Sequence, residues 1–441
     1  MGDKGTAAVA VDIAEPPPAE YAEPDEQVGQ DADPVQAEPL PGDTVLSLYP
    51  LTYLDEGEEV TVGCAETDSY VVLPPDGAGL LRKLGSGATL DQAAAWYQVE
   101  FGETVNISEF AEALAELEFL RPADAAEPGS PKPVRWQRLG KAVFSPISGL
   151  CMAALVVAWV VAMVRSPDLL PENHNIFFTK YISIIELVTF LGQFPLLLLH
   201  ESFHALAGRR LGLKSSLSIG RRLYYVVFLT NLDGLVTVPR RKRYLPMLAG
   251  ILADVLVTAT LTLIAGATRS PSGALTTGGM ICLALAYTTV LRLLWQLYFY
   301  LETDLYYVAV TVLGCVDLQK TARKILRNRW NTLRRRPEAL IDPETFHPRD
   351  REIGRWYSWL VLGGWVLSLA LIPIIMIPIA YRVMTTVFER LIHPSGQTGA
   401  GLADSIVFLS LNLIQIVAVW WVVRRERARA VAAPQYQHVL N

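Results

Sequence analysis

The sequence predicts a polytopic α-helical membrane protein with a small α+β domain at its N-terminus. Three observations predict this fold class: long apolar segments recur after residue 142, basic clusters separate them, and the first 130 or so residues are acidic. A helix needs roughly 20 apolar residues to cross a bilayer core about 30 Å thick. About six segments reach that length, at 143–164, 181–207, 244–267, 280–302, 357–382 and 402–423.

The basic clusters predict how these segments are oriented. They precede the first and third segments, follow the second and the sixth, and fill a linker at 318–356 before the fifth. Because Lys and Arg are enriched in cytoplasmic loops, all of these clusters are expected in the cytoplasm. Both chain termini, including a tail at 424–441, are then cytoplasmic, and the lipid bilayer is an expected partner.

The N-terminal region divides into a tail, a compact domain and a linker. Residues 1–42 are rich in Ala, Pro, Glu and Asp, and they are expected to be a disordered acidic tail, because they have too little apolar surface to offset the entropy of ordering. Residues 45–122 are expected to fold as a domain. Residues 123–142 are expected to form a basic linker to the first span.

The domain at 45–122 is predicted to be winged-helix-like. Short strands come first and three amphipathic helices follow, the last two beginning at the caps Thr89 and Ser108. The domain is acidic and has no basic recognition helix, so nucleic acid is not expected as a partner. A peptide is the more plausible ligand.

A cytoplasmic β-hairpin is predicted near 215–239, within a membrane core at 143–317. The segment is rich in β-branched and aromatic residues and breaks at Asn231–Gly234, where a turn between the strands is expected. Two interpretations stay open: a solvated hairpin, or an edge strand that accepts an extended peptide.

The sequence HESFH at 200–204 predicts a metal site at the end of the second span. His200 and His204 are four residues apart, so on a helix both imidazoles lie on one face and can reach one tetrahedral ion. Glu201 lies beside the ion and suits a general base for peptide hydrolysis. The alternative is a pair of core histidines without a metal.

The third ligand is predicted from depth in the membrane. His200 and His204 lie roughly 30–35 Å into the second span, and Asp304 lies about 36 Å into the fourth, at the same cytoplasmic level. Other carboxylates are at another depth or have no depth constraint: Asp254, Glu186, Asp233 and Asp317. The alternative for Asp304 is an interfacial carboxylate paired with Arg292 or Arg209.

HESFH followed about a hundred residues later by LETDLYYV resembles the site-2 protease family of intramembrane zinc metalloproteases. The resemblance implies that His200, His204 and Asp304 bind Zn²⁺ and that Glu201 is the general base. It also implies that Gln296 orients the substrate. The match is partial, since Leu305 stands where the family has glycine, and Gln296 and Phe299 stand at the offsets of its asparagine and proline.

The bacterial peptide zinc metalloprotease branch of that family is the most similar, because Tyr306 and Tyr307 follow Asp304. This branch implies the cytoplasmic membrane of a bacterium. Its members often carry a domain similar to the leader-peptide recognition elements of ribosomal natural-product pathways, and 45–122 resembles one. Such a domain would hold a peptide on its third strand and its last helix, at 107–117. The strand residues are Ser69, Tyr70, Val71, Val72 and Leu73.

These expectations combine into a zinc metalloendopeptidase that cleaves a peptide or a membrane-associated protein at the cytoplasmic face, in peptide maturation or leader processing. One alternative is an inactive membrane-tethered peptide receptor or immunity protein. The other is regulated intramembrane proteolysis in signalling. Signalling members often insert a PDZ domain of about 80–100 residues, and no loop outside 45–122 offers that room.

Overall fold

The computed structural model describes most of the chain after residue 40. The described residues are 41–57, 59–64, 66–67, 69–122, 134–222, 225–371, 373–374, 377–393 and 398–432. The predicted disordered tail therefore lies outside them, apart from residues 41 and 42. Gly42 belongs to the folded domain, because its carbonyl accepts the backbone N–H of Asp91 at 2.9 Å.

The N-terminal domain is a three-stranded sheet covered by three helices. Its elements are β1 (Leu51–Glu56), β2 (Glu59–Cys64), β3 (Ser69–Leu73), α1 (Pro75–Gly85), α2 (Leu90–Phe101) and α3 (Ile107–Glu116). The strands are antiparallel in the order β1-β2-β3, which leaves β3 at an edge. Apolar residues from β2, the helices and the segment after α3, including Val62, Leu81, Leu90 and Phe119, form the buried core.

One of the two predicted helix caps is confirmed. Thr89 caps α2 in a capping box with Gln92, whereas α3 begins earlier than predicted and is capped by Asn106. The side chain of Asn106 accepts the backbone N–H of Glu109 at 3.3 Å. Ser108 was the wrong choice because Asn106 already supplies that acceptor three residues before Glu109.

The C-terminal part is mostly helical, and its described residues include five helices that are long and apolar enough to cross a membrane. They are α5 (Pro146–Arg165), α6 (Ile182–Arg210), α7 (Arg240–Ala267), α8 (Thr277–Trp295) and the Gly399–Trp421 part of α13 (Gly399–Ala432). The prediction of a polytopic helical membrane protein agrees with this architecture. Half of the most apolar window of α7 is buried inside the protein, whereas none of that of α5 is. Hence α7 is central and α5 peripheral.

Other elements precede or connect these helices. They are α4 (Gln137–Val143), β4 (Ser215–Arg222), β5 (Tyr225–Leu232), α9 (Asp304–Leu313), α10 (Leu318–Leu333), α11 (Pro348–Leu371) and α12 (Ile377–Ile392). The segment 357–382, predicted as one span, is divided between α11 and α12. Pro373 lies between the two helices, in the π-helical pair 373–374.

The predicted hairpin is present, but its turn lies elsewhere than predicted. Strands β4 and β5 pair from Ser215↔Leu232 to Arg222↔Tyr225, so the chain reverses between Arg222 and Tyr225. Asn231 is still part of β5, and Gly234 follows the strand with a positive φ of 80°. The segment Asn231–Gly234 therefore lies at the end of β5 and not where the chain reverses direction.

The N-terminal domain contacts the membrane core through charged pairs and one close approach. Glu56 of β1 pairs with Arg240 at 3.0 Å and with Arg243 at 3.2 Å, at the start of α7. Gly63 of β2 lies against Thr237, in the segment that joins β5 to α7, and a Cβ there would clash. The sheet therefore rests on the same loop that follows the hairpin.

Candidate metal centre

Helix α6 presents the two histidines of HESFH to the interior of the protein. His200 and His204 are 4% and 7% exposed, and both face α7. Their four-residue spacing places them on one face of the helix, as predicted. A buried polar pair in an apolar helix requires partners for its ring nitrogens.

Asp304 reaches the histidines from the first turn of α9. Thr303 precedes it in extended conformation, and its hydroxyl donates to the carbonyl of Gln296 at 2.7 Å. The side-chain Oε1 of Gln296 accepts the backbone N–H of Asp304 at 3.0 Å. These two contacts fix the junction between α8 and α9 and so fix the position of the Asp304 carboxylate.

Three potential ligand atoms form a nearly equilateral triangle. The Nε2 atoms of His200 and His204 are 3.2 Å apart, and each lies 3.2 Å from Oδ2 of Asp304. For a tetrahedral zinc ion with ligands at about 2.0–2.1 Å, neighbouring ligand atoms are ~3.3–3.4 Å apart. The triangle therefore fits one face of a zinc tetrahedron and leaves a fourth corner outside these three residues.

Gly250 of α7 leaves space beside this triangle. A Cβ at this position would lie too close to the Nε2 atoms of both His200 and His204. Any residue other than glycine would thus fill the volume between the two ring nitrogens. The histidines, Asp304 and Gly250 together fit the requirements of a bound divalent ion.

The far nitrogens of both imidazoles are held by α7. Nδ1 of His200 lies 3.0 Å from Oδ2 of Asp254, and Nδ1 of His204 lies 2.7 Å from the carbonyl of Pro246. Each acceptor fixes the proton on Nδ1, so Nε2 presents its lone pair to the ion. Pro246 and Asp254 therefore orient the two imidazoles.

Asp254 in turn belongs to a buried ion pair. It is fully buried and accepts from Arg292 of α8, at 2.9 Å to Oδ2 and 2.5 Å to Oδ1. Arg292 also donates to Gln193 of α6 at 2.9 Å. A buried carboxylate is costly without a charged partner. Arg292 supplies that partner while Asp254 keeps its contact with His200.

The carboxylate of Glu201 faces the hairpin. Glu201 is 7% exposed, and its Oε2 accepts a hydrogen bond of 2.7 Å from the hydroxyl of Thr230 on β5. Both residues line a groove of about 380 Å³ between α4, α6 and the hairpin, which Leu198 and Leu217 also line. The predicted base therefore lines a groove beside the hairpin.

Four of the predicted site residues lie together, and the predicted peptide-binding strand lies in the N-terminal domain. His200, His204, Asp304 and Gln296 form one cluster, in which the side chain of Gln296 accepts the backbone N–H of Asp304. Ser69–Leu73 form β3 in the N-terminal domain, where the strand pairs on one side with β2. The alternative partners of Asp304 are engaged elsewhere, since Arg292 pairs with Asp254 and Arg209 donates to Ser215.

Four contributors to the site were missed by sequence reasoning: Asp254, Arg292, Gly250 and Thr230. The first two carried a usable signal, because two opposite charges in predicted spans are expected to pair. Asp254 was set aside as a ligand because of its depth, yet it contacts His200 from behind. Gly250 and Thr230 carried no such signal in the sequence.

Comparisons with protein-family models, with curated proteins and with solved structures find no match to this chain.

Proposed function

We propose that this chain is a membrane-embedded zinc endopeptidase that cleaves a peptide bond at the cytoplasmic face of the membrane. One observation carries the proposal: the Nε2 atoms of His200 and His204 and Oδ2 of Asp304 are mutually 3.2 Å apart, as a zinc tetrahedron requires. The glutamate between the two histidines favours hydrolysis over other chemistry of two-histidine, one-carboxylate sites.

Each residue then has a defined part in peptide hydrolysis. Zinc, when bound, supplies a Lewis acid that activates water and polarises the peptide carbonyl. Glu201 accepts the proton of the attacking water and returns it to the leaving amine. Thr230 donates to Oε2 of Glu201 and holds that oxygen in place, so Oε1 is the proton acceptor. Asp254 and Pro246 keep both imidazoles in the ligating tautomer.

The proposal includes six membrane crossings with both termini in the cytoplasm. Asp404, near the start of α13, accepts the backbone N–H of Ser183, near the start of α6, at 2.9 Å. The two helices therefore begin at the same membrane face. α8 ends at the opposite face, beside Asp304, so the chain must cross once between α8 and α13. α11 and α12 are the helices available for that crossing.

The orientation rests on the charge of the site's face. Arg209 and Arg210 end α6, and Arg240–Arg243 begin α7, all on the side of the metal cluster. The positive-inside rule assigns such clusters to the cytoplasm. A cytoplasmic peptide therefore reaches Glu201 without crossing the lipid core.

We propose that the substrate is a peptide that the N-terminal domain captures first. β3 is an edge strand, so the backbone of an extended peptide can add to it. The sheet rests against Thr237, five residues after β5. A peptide held on β3 thus stays close to the groove that Glu201 and Thr230 line, as leader processing requires.

The departure of Leu305 from the family's glycine does not favour the alternative of an inactive receptor. Leu305 is in the first turn of α9 and has no positive φ, so the position makes no demand for glycine. The Asp304 ligand keeps its backbone hydrogen bond to Gln296. The interpretation as an inactive receptor is then supported only by the differences between this sequence and the family motif.

The experiment compares wild type with Glu201→Gln on a membrane fraction, and new peptide termini are identified by mass spectrometry. Wild type is expected to create termini that Glu201→Gln does not, while both proteins bind the same amount of zinc. Glu186→Gln is the matched control, because Glu186 is on the same helix but bonds Asn412 and Gln415 at its other end. Undiminished cleavage by Glu201→Gln would refute the proposal.

A further inference from the structure

A cationic cavity of about 570 Å³ lies where α4, α5, α6 and α7 meet, on the same membrane face as the metal cluster. Its charged lining consists of Lys141, Arg210, Arg241 and Lys242. Four positive side chains around one space repel one another unless an anion lies between them. The cavity therefore favours a negatively charged ligand.

Within the described part of the chain, none of these four cations pairs with a carboxylate. The contrast with their neighbours is informative, because Arg240 and Arg243 on the same helical turn both pair with Glu56. The positive charge of α7 is thus neutralised on the side of the N-terminal domain and left unbalanced in the cavity. This asymmetry points to a ligand from outside the protein.

The start of α5 adds to the attraction for an anion. Ser145 caps this 20-residue helix, Pro146 is its first residue, and both line the cavity. The positive end of the helix dipole favours a phosphate at such a position. This contribution is secondary to the four cationic side chains.

The surroundings identify the anion as part of a lipid. The cavity opens at the ends of three helices that are apolar enough to span a membrane, and Phe144, Leu211 and Leu245 form its apolar lining. Ile147 and Leu150, just beyond it on α5, are 78% and 73% exposed. A free anion would leave this apolar surface uncovered, whereas acyl chains would cover it.

We infer that the cavity binds the phosphate headgroup of an anionic phospholipid, whose acyl chains lie along α5. Basic pockets between membrane helices on the cytoplasmic side are suited to such headgroups. The site is separate from the metal cluster, but the two are linked through helices. Arg210 follows His204 by six residues, and Arg241 precedes Pro246, the partner of His204, by five.

The test uses the full chain, purified in a neutral detergent and stripped of lipid. Its melting temperature is followed as phosphatidylglycerol, phosphatidylcholine or inorganic phosphate is added, because a ligand that binds the folded state raises it. Phosphatidylglycerol is expected to stabilise the protein at concentrations where the other two have no effect. An equal response to inorganic phosphate would identify a free-anion site and overturn the lipid assignment.

Variants test whether phosphatidylglycerol binds in the cavity. The triple change Lys141→Gln, Arg241→Gln and Lys242→Gln is expected to weaken the apparent affinity for phosphatidylglycerol by ~100-fold, since one basic residue near an anionic headgroup strengthens binding by about fivefold. The control removes three exposed cations outside the cavity, Arg334, Arg335 and Arg336, and is expected to leave the affinity unchanged.

The result that overturns the proposal is equal behaviour of the two triple variants, whether both bind as wild type or both lose affinity. In the first case the cavity is not the site, and in the second the attraction belongs to the whole basic face. Should the cavity triple fail to fold, Lys242→Gln alone serves, because this side chain is exposed and its loss is expected to weaken binding about fivefold.

Discussion

The substitution Gly250→Ala tests the geometry of the metal centre without touching a ligand. A Cβ at residue 250 would lie between the Nε2 atoms of His200 and His204, closer to both than van der Waals contact allows. The methyl group would occupy the volume that a zinc ion needs. The imidazoles cannot turn away freely, because Asp254 and Pro246 hold their other nitrogens.

The size of the effect follows from the energy of one ligand. Zinc binds structural sites with about 10–16 kcal/mol, or roughly 2.5–4 kcal/mol for each of four ligands. Displacement of even one imidazole should therefore lower zinc affinity on the order of 300-fold. The affinity is measured by competition with a chelator of known zinc affinity, in detergent, at fixed pH.

The control is Gly149→Ala on α5, where a Cβ would meet nothing within 4 Å. Both substitutions replace a helical glycine with alanine, so both favour the helix by about 1 kcal/mol or less. Gly149→Ala is expected to bind zinc as wild type does. If a folded Gly250→Ala protein bound zinc with unchanged affinity, the ion would not lie between the two histidines and the reasoning would be refuted.

Three further predictions concern other parts of the protein. Asp254→Asn should weaken zinc binding by about 10- to 100-fold, as loss of a partner behind a ligating histidine does, and unchanged affinity in the chelator competition would exclude an orienting role. In the N-terminal domain, Tyr97 donates to Asp76 at 2.5 Å, which holds the pKa of the Asp76 carboxyl below its ordinary value and raises the pKa of Tyr97 to about 12. The Asp76 carboxyl stabilises the fold at pH values above its unfolded pKa, and this stabilisation is lost as the pH falls through its folded pKa. The Tyr97 hydroxyl stabilises the fold below about pH 10. That stabilisation is lost as the pH rises to about 12. Tyr97→Phe should remove the Tyr97 dependence from thermal unfolding curves of the full chain and weaken the Asp76 dependence, which backbone hydrogen bonds partly maintain, and an unchanged Asp76 dependence would contradict this assignment. Glu56→Gln should loosen the N-terminal domain from α7 and speed hydrogen exchange in β1, and unchanged exchange would show that the ion pairs with Arg240 and Arg243 do not hold the domain.

The residues of the candidate site that could be predicted from the sequence are those whose positions follow from spacing along a helix. The histidines are four residues apart on one helix, and Asp304 could be selected because depth in a membrane follows from residue count along a helix. The position of Asp254 behind His200 depends on how α7 packs against α6, and periodicity does not specify packing. Gly250 was missed for the same reason, because the need for a residue without a side chain there depends on how α7 packs against α6.

The same distinction applies to the fold. The long apolar helices and the sheet with three helices could be predicted, because hydrophobic patterning specifies them directly. The hairpin turn was misplaced because Gly234 has a positive φ after the strand and not within the reversal. The division of 357–382 into α11 and α12 was also missed, because a hydrophobic window does not register where one helix ends and the next begins.

The central claim is that His200, His204 and Asp304 hold one zinc ion. Elemental analysis of the purified chain tests it most directly, with Asp304→Ala as the ligand variant and Asp233→Ala as a control carboxylate beyond the hairpin. We expect one zinc per chain in wild type and in Asp233→Ala, and little or none in Asp304→Ala. A well-folded wild-type protein without zinc, or an Asp304→Ala protein that keeps it, would contradict this account.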